Sequence, residues 1–483
     1  MKRSDLQQNA RHYINGRWET GVTLGASENP SDTREVVAEY ARADRNQTAL
    51  AIRAAADALA HWSQTTPQRR ADALDQIGSE ILARREELGL LIAREEGKTL
   101  PEAVSEAARA GHLFKFFAGE ALRSRGDTIA SVRPGVQVDV THEPAGVIGV
   151  ITPWSEPLAI PAWKIAPALA HGNSVVFKPA ERVPACGWAL AEIISRAALP
   201  AGTFNLVMGS GREVGQAIVD SPLVDAISFT GSVTNGARVL LAAMPRHARV
   251  QLDMGGKNPL VVLADADLDR AIDCALEGAY FSAGQRCTAS SRLIVEAAVH
   301  DAFVVRLRQR MAALKVGHAL ERGSDIGPVV DRVQLERNLA AIAQASEEGA
   351  ELVWGGERLK QPGSGYYMSP ALFLARPEHR VARDEIFGPV ACVLRADDYE
   401  HALQLANDTA FGLCAGICTR SLARAVHFKR HAKVGMTMVN LPTVGVDYHV
   451  PFGGRKASSY GPCGQGARAA EFYTSLKTGY MLA

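Results

Sequence analysis

No uninterrupted apolar stretch of this sequence reaches the roughly 20 residues that a membrane-spanning helix needs. Net charge is nearly absent, +1 at pH 7 over 483 residues. No field therefore favours nucleic acid or an anionic membrane, and neither is expected as a partner. Repeats, low-complexity runs and basic tracts are missing too. Met1 to Arg11 carry charge without an apolar centre, so they do not read as a secretory signal. The seven cysteines are an odd number without framework spacing, which fits a reducing cytoplasm. Cys414 and Cys418 lie in an apolar, strand-like run and read as core. There is no HExxH and no CxxC-type pair, so no metal site is expected.

Length and apolar content are what the chain does have. With 47% apolar residues it can build two or three domains, each with its own core. Asn15-Gly16 between His12-Tyr13-Ile14 and Arg17-Trp18-Glu19 signals a hairpin. Helical spacing runs through Gln47 to Trp62, Pro67 to Glu96 and Leu100 to Phe117. Short apolar strands follow at Gly146 to Ile151, Ser174 to Phe177, Phe204 to Val207 and Ala226 to Phe229, with helices such as Cys186 to Ala197 between them. That alternation predicts a parallel sheet with crossover helices. A second set begins at Pro259, with strands at Pro259 to Leu263, Arg292 to Val295, Val390 to Leu394 and Gly412 to Cys418. Helices are expected at Ala298 to Leu314, Arg332 to Glu348 and Tyr399 to Ala406. One domain is therefore placed before about residue 252 and another after it. The tail, Glu471 to Met481, reads as a pairing edge strand.

The chemistry concentrates at Phe281-Ser282-Ala283-Gly284-Gln285-Arg286-Cys287-Thr288-Ala289. A thiol between an arginine and small residues, after a glycine turn, is a candidate nucleophile. The thiolate is the reactive form, from a thiol pKa of about 8.5. Its attack on an aldehyde gives a thiohemiacetal, and a hydride acceptor beside it would leave a thioester. Upstream stands Asp253-Met254-Gly255-Gly256-Lys257-Asn258-Pro259. The glycines of Gly209-Ser210-Gly211-Arg212-Glu213-Val214-Gly215 are spaced GxGxxxG, not GxGxxG. Phe229-Thr230-Gly231-Ser232 is a second strand-to-helix junction, where a helix N-terminus favours phosphate.

Together with Thr152-Pro153-Trp154, Lys178-Pro179-Ala180-Glu181, Glu385-Ile386-Phe387-Gly388-Pro389 and Pro451-Phe452-Gly453-Gly454, these segments resemble the aldehyde dehydrogenase superfamily. The stretches Gln285 to Arg292 and Val450 to Tyr460 look most like its α-ketoglutaric semialdehyde (2,5-dioxopentanoate) dehydrogenase branch. The resemblance implies an α/β fold with a Rossmann-like cofactor domain (1–117 and 141–252) and an α/β catalytic domain (253–437). A small β oligomerisation arm (118–140 and 468–483) and a substrate-tunnel loop (438–467) would complete it. A homodimer or homotetramer is implied. The cofactor residues implied are Thr152, Pro153, Trp154, Ala180, Gly211, Gly215, Phe229 and Gly255, with six more in stated roles. Lys178 and Glu181 would reach the adenosine ribose, Gly231 and Ser232 the pyrophosphate, and Glu385 the nicotinamide ribose, with Phe387 beside it. A carboxylate at Glu181 accepts from two ribose hydroxyls and repels a 2′-phosphate, which favours NAD. Lys178 can offset the repulsion and leaves NADP open.

By the same resemblance Cys287 is the nucleophile, its backbone N–H one oxyanion donor, and Lys164 a proton relay. Three positions depart from the family pattern. The usual glutamate base is Asp253, whose carboxylate stops one methylene short yet can still act through a second water. The usual oxyanion asparagine is Ser155, a shorter donor, and losing one such donor costs about 3 kcal/mol. A commonly aromatic tunnel position is Glu156, which would attract a cationic aldehyde unless Arg286 or another base pairs with it.

The expected substrate is a small aldehyde. The branch points to an anionic 2-oxo acid semialdehyde, with Arg286 a candidate carboxylate clamp and Arg292 a structural residue. Tyr448, His449 and Phe452 are expected on the outer tunnel wall. Glu156 supports an amino- or guanidino-aldehyde instead. An acyl-transferring variant that Asp253 deacylates poorly, and a dinucleotide-binding relative without turnover, are the remaining alternatives.

Overall fold

A computed structural model describes residues 10–482. The secretory-signal reading of the N-terminus, and the outermost ends of the expected domains, lie partly outside the described residues. Two sheets organise the chain. The first has eight strands, in the order Arg17–Glu19, His12–Ile14, Phe204–Leu206, Ser174–Lys178, Val147–Ile151, Ala226–Gly231, Arg249–Met254, Ser459–Tyr460. Its five inner strands are parallel, and the flanking pairs are antiparallel. The second sheet has seven strands centred on Pro259–Val262, Arg292–Glu296 and Val390–Ala396. Its central strands are buried along almost their whole length, as expected where helices cover both faces.

The hairpin at Asn15-Gly16 forms, with both turn residues left-handed. The segment expected as one helix from Pro67 to Glu96 is two, Pro67–Ala83 and Arg85–Glu95. Arg84 breaks it, with φ −101 and ψ 12, and its guanidinium binds Glu80, Glu87 and Glu192. The strand Arg249–Met254 was not anticipated. Val250 and Leu252 alternate there with Gln251 and Asp253, over six residues only, and both faces are buried. A second hairpin, Thr23–Asn29 with Asp32–Arg42, also went unread. The tail strand Thr474–Leu482 pairs antiparallel with Val136–Pro144, which pairs in turn with Asp127–Ala130. No helix of the described residues is long and apolar enough to cross a membrane.

Candidate active site

The first sheet reverses direction at Val147–Ile151. The chain builds outward from it through Ser174–Lys178 and Phe204–Leu206, then returns to its other side with Ala226–Gly231 and Arg249–Met254. Such a reversal leaves a crevice beyond the C-terminal ends of the strands. A cleft of about 1280 Å³ opens there, with Cys287 on its wall.

Every residue expected at the cofactor lines this cleft. Thr152, Pro153 and Trp154 leave the central strand, and Ser155 follows them. Lys178 ends the neighbouring strand, with Ala180 and Glu181 just beyond. Phe229 and Gly231 close a third strand, and Ser232 caps the helix Val233–Ala243. Gly211 and Gly215 bound a wide helical turn. Gly255 follows Arg249–Met254, and Glu385 and Phe387 reach in from beyond the second sheet's helices. Arg212, inside the glycine run, also lines the cleft, as do Arg238, Gln334 and Arg337, which no motif announced.

These residues fit a dinucleotide. Gly211 has open space where a Cβ would stand, so backbone can approach a ligand. Thr152 Oγ1 and Thr230 Oγ1 are buried on the cleft wall without a partner among the described residues. Burial pulls the Lys178 ammonium down to about 8 against the opposing charge of Glu181. Burial raises the Glu385 carboxyl to about 7, although it accepts the Gly256 N–H at 3.0 Å. A Cβ at Gly255 would collide with that carboxylate, which explains the glycine. The Trp154 and Phe387 rings meet edge to face at 5.3 Å. Phe387 holds a left-handed φ of 61°, a conformation that non-glycine residues rarely adopt.

The nucleophile loop is strained and tied down. Ser282, Ala283 and Gly284 are consecutive left-handed residues just ahead of Cys287. Asn258 Nδ2 donates to the Cys287 carbonyl at 2.8 Å and to Ala289 at 3.0 Å, while its Oδ1 accepts the Cys414 N–H. A Cβ at Gly256 would press on the Cys287 carbonyl from 2.9 Å. Enclosure, then the negative charge of Glu156, pushes the Cys287 thiol well above its usual range. A charge-neutral thiol is therefore favoured before any cationic group approaches.

Asp253 does not stand alone. Its Oδ2 accepts Lys164 Nζ at 3.0 Å and Gln251 Nε2 at 2.8 Å. Lys164 also donates to Ser228 Oγ and to Gln251 Oε1, and Tyr473 OH donates to Ser228. Lys164 and Ser228 are wholly buried. Burial lowers the Lys164 pKa, and Asp253 offsets part of that. Gln251 and Asp253 share one face of their strand, two residues apart, which is why both meet the same lysine. A Cβ at Gly464 would stand 2.5 Å from Gln251 Nε2, so a glycine keeps this network closed. Neither Gln251, Ser228 nor Gly464 was singled out from sequence.

One helix, Leu100–Ala121, arranges the substrate side. Glu102, Glu106, Arg109, His112 and Phe116 recur at helical spacing along one face. Glu102 Oε1 accepts Ser282 Oγ at 2.8 Å and Arg286 Nη2 at 3.0 Å. Arg286 is thus engaged by Glu102 and Ser282, not by Glu156. Lys98 Nζ, buried, donates to Glu106 at 2.6 Å and to the Ser155 carbonyl at 2.7 Å. Glu106 also accepts the Leu158 and Ala159 N–H groups, so the loop after Trp154 hangs on it. Glu156 pairs with Arg109 at 3.7 Å. His112 stacks on Tyr448 at 5.3 Å, Phe116 lies 6.5 Å from His449, and Phe452 packs on Trp163 at 5.1 Å. Arg292 is buried, and donates to the Leu405 carbonyl rather than to a carboxylate.

The sequence pattern of the aldehyde dehydrogenase family matches residues 19–479. An α-ketoglutaric semialdehyde dehydrogenase of Bacillus subtilis is 39% identical, over 97% of this chain and 97% of the relative. A betaine aldehyde dehydrogenase of Cereibacter sphaeroides is 38% identical, over 98% of each. The structure of betaine aldehyde dehydrogenase from Staphylococcus aureus in complex with NAD+ superposes with a TM-score of 0.97 at 32% identity, covering 99% of this chain and 96% of that one. The fold, the cleft at its switch point and a match spanning nearly the whole sequence agree: this chain belongs to the aldehyde dehydrogenase family.

Proposed function

We propose that this NAD(P)-dependent aldehyde dehydrogenase oxidises a small anionic aldehyde, a 2-oxo acid semialdehyde of the 2,5-dioxopentanoate type, to its acid. NAD is the preferred acceptor on the charge of Glu181. The observation that carries the substrate reading is the Arg109–Glu156 pair. Glu156 is the one unexpected anion beside the nucleophile, and its charge is already met by a guanidinium. The α-ketoglutaric semialdehyde relative supports the same class.

The Cys287 thiol gives up its proton to water, Sγ adds to the carbonyl carbon, and the oxyanion takes the Cys287 N–H and the Ser155 hydroxyl as donors. A bound nicotinamide would take up the hydride. Asp253 then takes a proton from the water that attacks the Cys287 thioester, the thiolate leaves, and Lys164 and Gln251 hold the Asp253 carboxylate by donating to its Oδ2. Glu385 holds the nicotinamide ribose. The chain works in the cytoplasm, where its seven free cysteines stay reduced. It assembles as a homodimer or homotetramer through the sheet of Asp127–Ala130, Val136–Pro144 and Thr474–Leu482.

Glu156 and the betaine aldehyde relative favour a second reading, a cationic aldehyde. NADH formation by rapid mixing with 2,5-dioxopentanoate, an aminoaldehyde and pentanal separates the two. The expected order of kcat/KM places 2,5-dioxopentanoate first by at least tenfold. An aminoaldehyde in first place would overturn it in favour of the cationic reading.

A further inference from the structure

We propose that Arg109 is the group that recognises the distal carboxylate of the aldehyde, through guanidinium donors that Glu156 leaves open. This deepens the anionic-substrate reading and rests on it.

Of the arginines near the nucleophile, Arg286 is committed, and Arg292 is sealed in the core at the start of its strand, away from the cleft lining. Arg286 is held by Glu102 and Ser282, and Arg292 is buried against a backbone carbonyl. Arg109 is differently placed. Its Nη1 stands 3.7 Å from Glu156, an ion pair too long for a hydrogen bond. Nη2 donates to Gln465 at 3.3 Å, at the long end of the range. Nε is buried with no partner among the described residues. A guanidinium has five N–H donors in a planar fork that matches a carboxylate, and most of these donors remain open here.

The position suits the task. Ser155 lines the cofactor cleft together with Cys287, and the next residue, Glu156, already touches Arg109 on the other side. The guanidinium lies 5.4 Å over the Trp163 ring, whose neighbour is Phe452. Cys287 and Tyr448 border the apolar cluster that contains both rings. Glu156, whose charge is felt at Cys287, is thus the residue that sets Arg109 near the nucleophile. Stacking on Trp163 holds the fork flat, so little freedom is lost when a carboxylate arrives.

The test measures kcat/KM for 2,5-dioxopentanoate and for pentanal, a neutral aldehyde of the same chain length, and takes their ratio. Arg109→Gln is expected to lower that ratio 10- to 100-fold, mainly through KM. It should also weaken inhibition of pentanal oxidation by glutarate at least tenfold. Arg109→Met keeps the stem over Trp163 and serves if the glutamine variant does not fold. A ratio within twofold of wild type, or an equal loss for both aldehydes, would assign Arg109 to packing alone and overturn the proposal. Wild-type enzyme that does not prefer 2,5-dioxopentanoate would instead sink the substrate reading, and the clamp with it.

Discussion

At the scale of single residues, the site is set by which charges are free and which are held. Asp253, the proposed base, has its Oδ2 fixed by Lys164 and Gln251, so it is poorly placed to move. Asp253→Asn keeps the shape and removes the base. The expected result is one fast turnover of NADH per site, then steady-state turnover lowered at least 100-fold. Loss of the burst as well would show that Asp253 serves hydride transfer, not deacylation. The cofactor residues make a second, pH-dependent prediction. Glu385 is neutral below about 7 and a double acceptor above it, so NAD affinity should tighten several-fold from pH 6 to 7.5. Lys178 loses its charge above about 8, so affinity should loosen again on that side. Titration calorimetry across pH should give a bell. Glu385→Gln should erase its acid limb and Lys178→Met its alkaline limb. A flat profile for the wild type would remove both residues from the cofactor.

At the scale of elements, the helix Leu100–Ala121 is the organiser that joins nucleophile loop, oxyanion loop and tunnel wall. Glu106 is its central contact: Lys98 is buried against it, and two backbone N–H groups lean on its other oxygen. Glu106→Gln would leave the Lys98 charge only the longer contact with Glu96, at 3.9 Å, a loss of about 3–5 kcal/mol for a broken buried pair. Chemical denaturation should show that loss, and Glu106→Gln with Lys98→Met should recover part of it. Equal stability of the single variant and wild type would mean that the pair is solvated. This helix also marks the limit of what the sequence reveals. Thr152 to Ser155, Lys178 and Gly231 were legible because each sits at or just beyond the C-terminal end of a strand, where local pattern and chemistry coincide, and Gly255 through its glycine-rich motif. Glu102, Glu106 and Arg109 were not, because lone charges at helical spacing look like a solvated face. Their partners, Ser282, Leu158 and Glu156, are between 47 and 180 positions away in the chain. The strand bearing Asp253 does alternate, with Val250, Leu252 and Met254 against Gln251 and Asp253, but it is only six residues long and runs straight into two glycines, so the pattern is brief.

At the scale of the whole molecule, the sheet of Thr474–Leu482, Val136–Pro144 and Asp127–Ala130 stands apart from the two large sheets. Its outer strand pairs on one side only. Leu476, Tyr480, Met481 and Leu482 are each more than half exposed on it, and Ile129 adds to the apolar surface. An unpaired edge with apolar side chains is unstable in isolation and well suited to cover by another copy. The proposed assembly should therefore depend on this strand. Truncation after Tyr473 leaves the backbone contacts of Tyr473 with Asn173 and Ala145 in place, together with every residue of the cofactor cleft. Sedimentation velocity should then show the main species shift to the mass of a single chain, with NAD still raising the melting temperature. Leu476→Glu with Tyr480→Glu should act in the same direction, since it keeps the strand and charges its exposed side chains. If both forms sediment as the wild type does, association runs through another surface, and this sheet is only an appendage of the monomer.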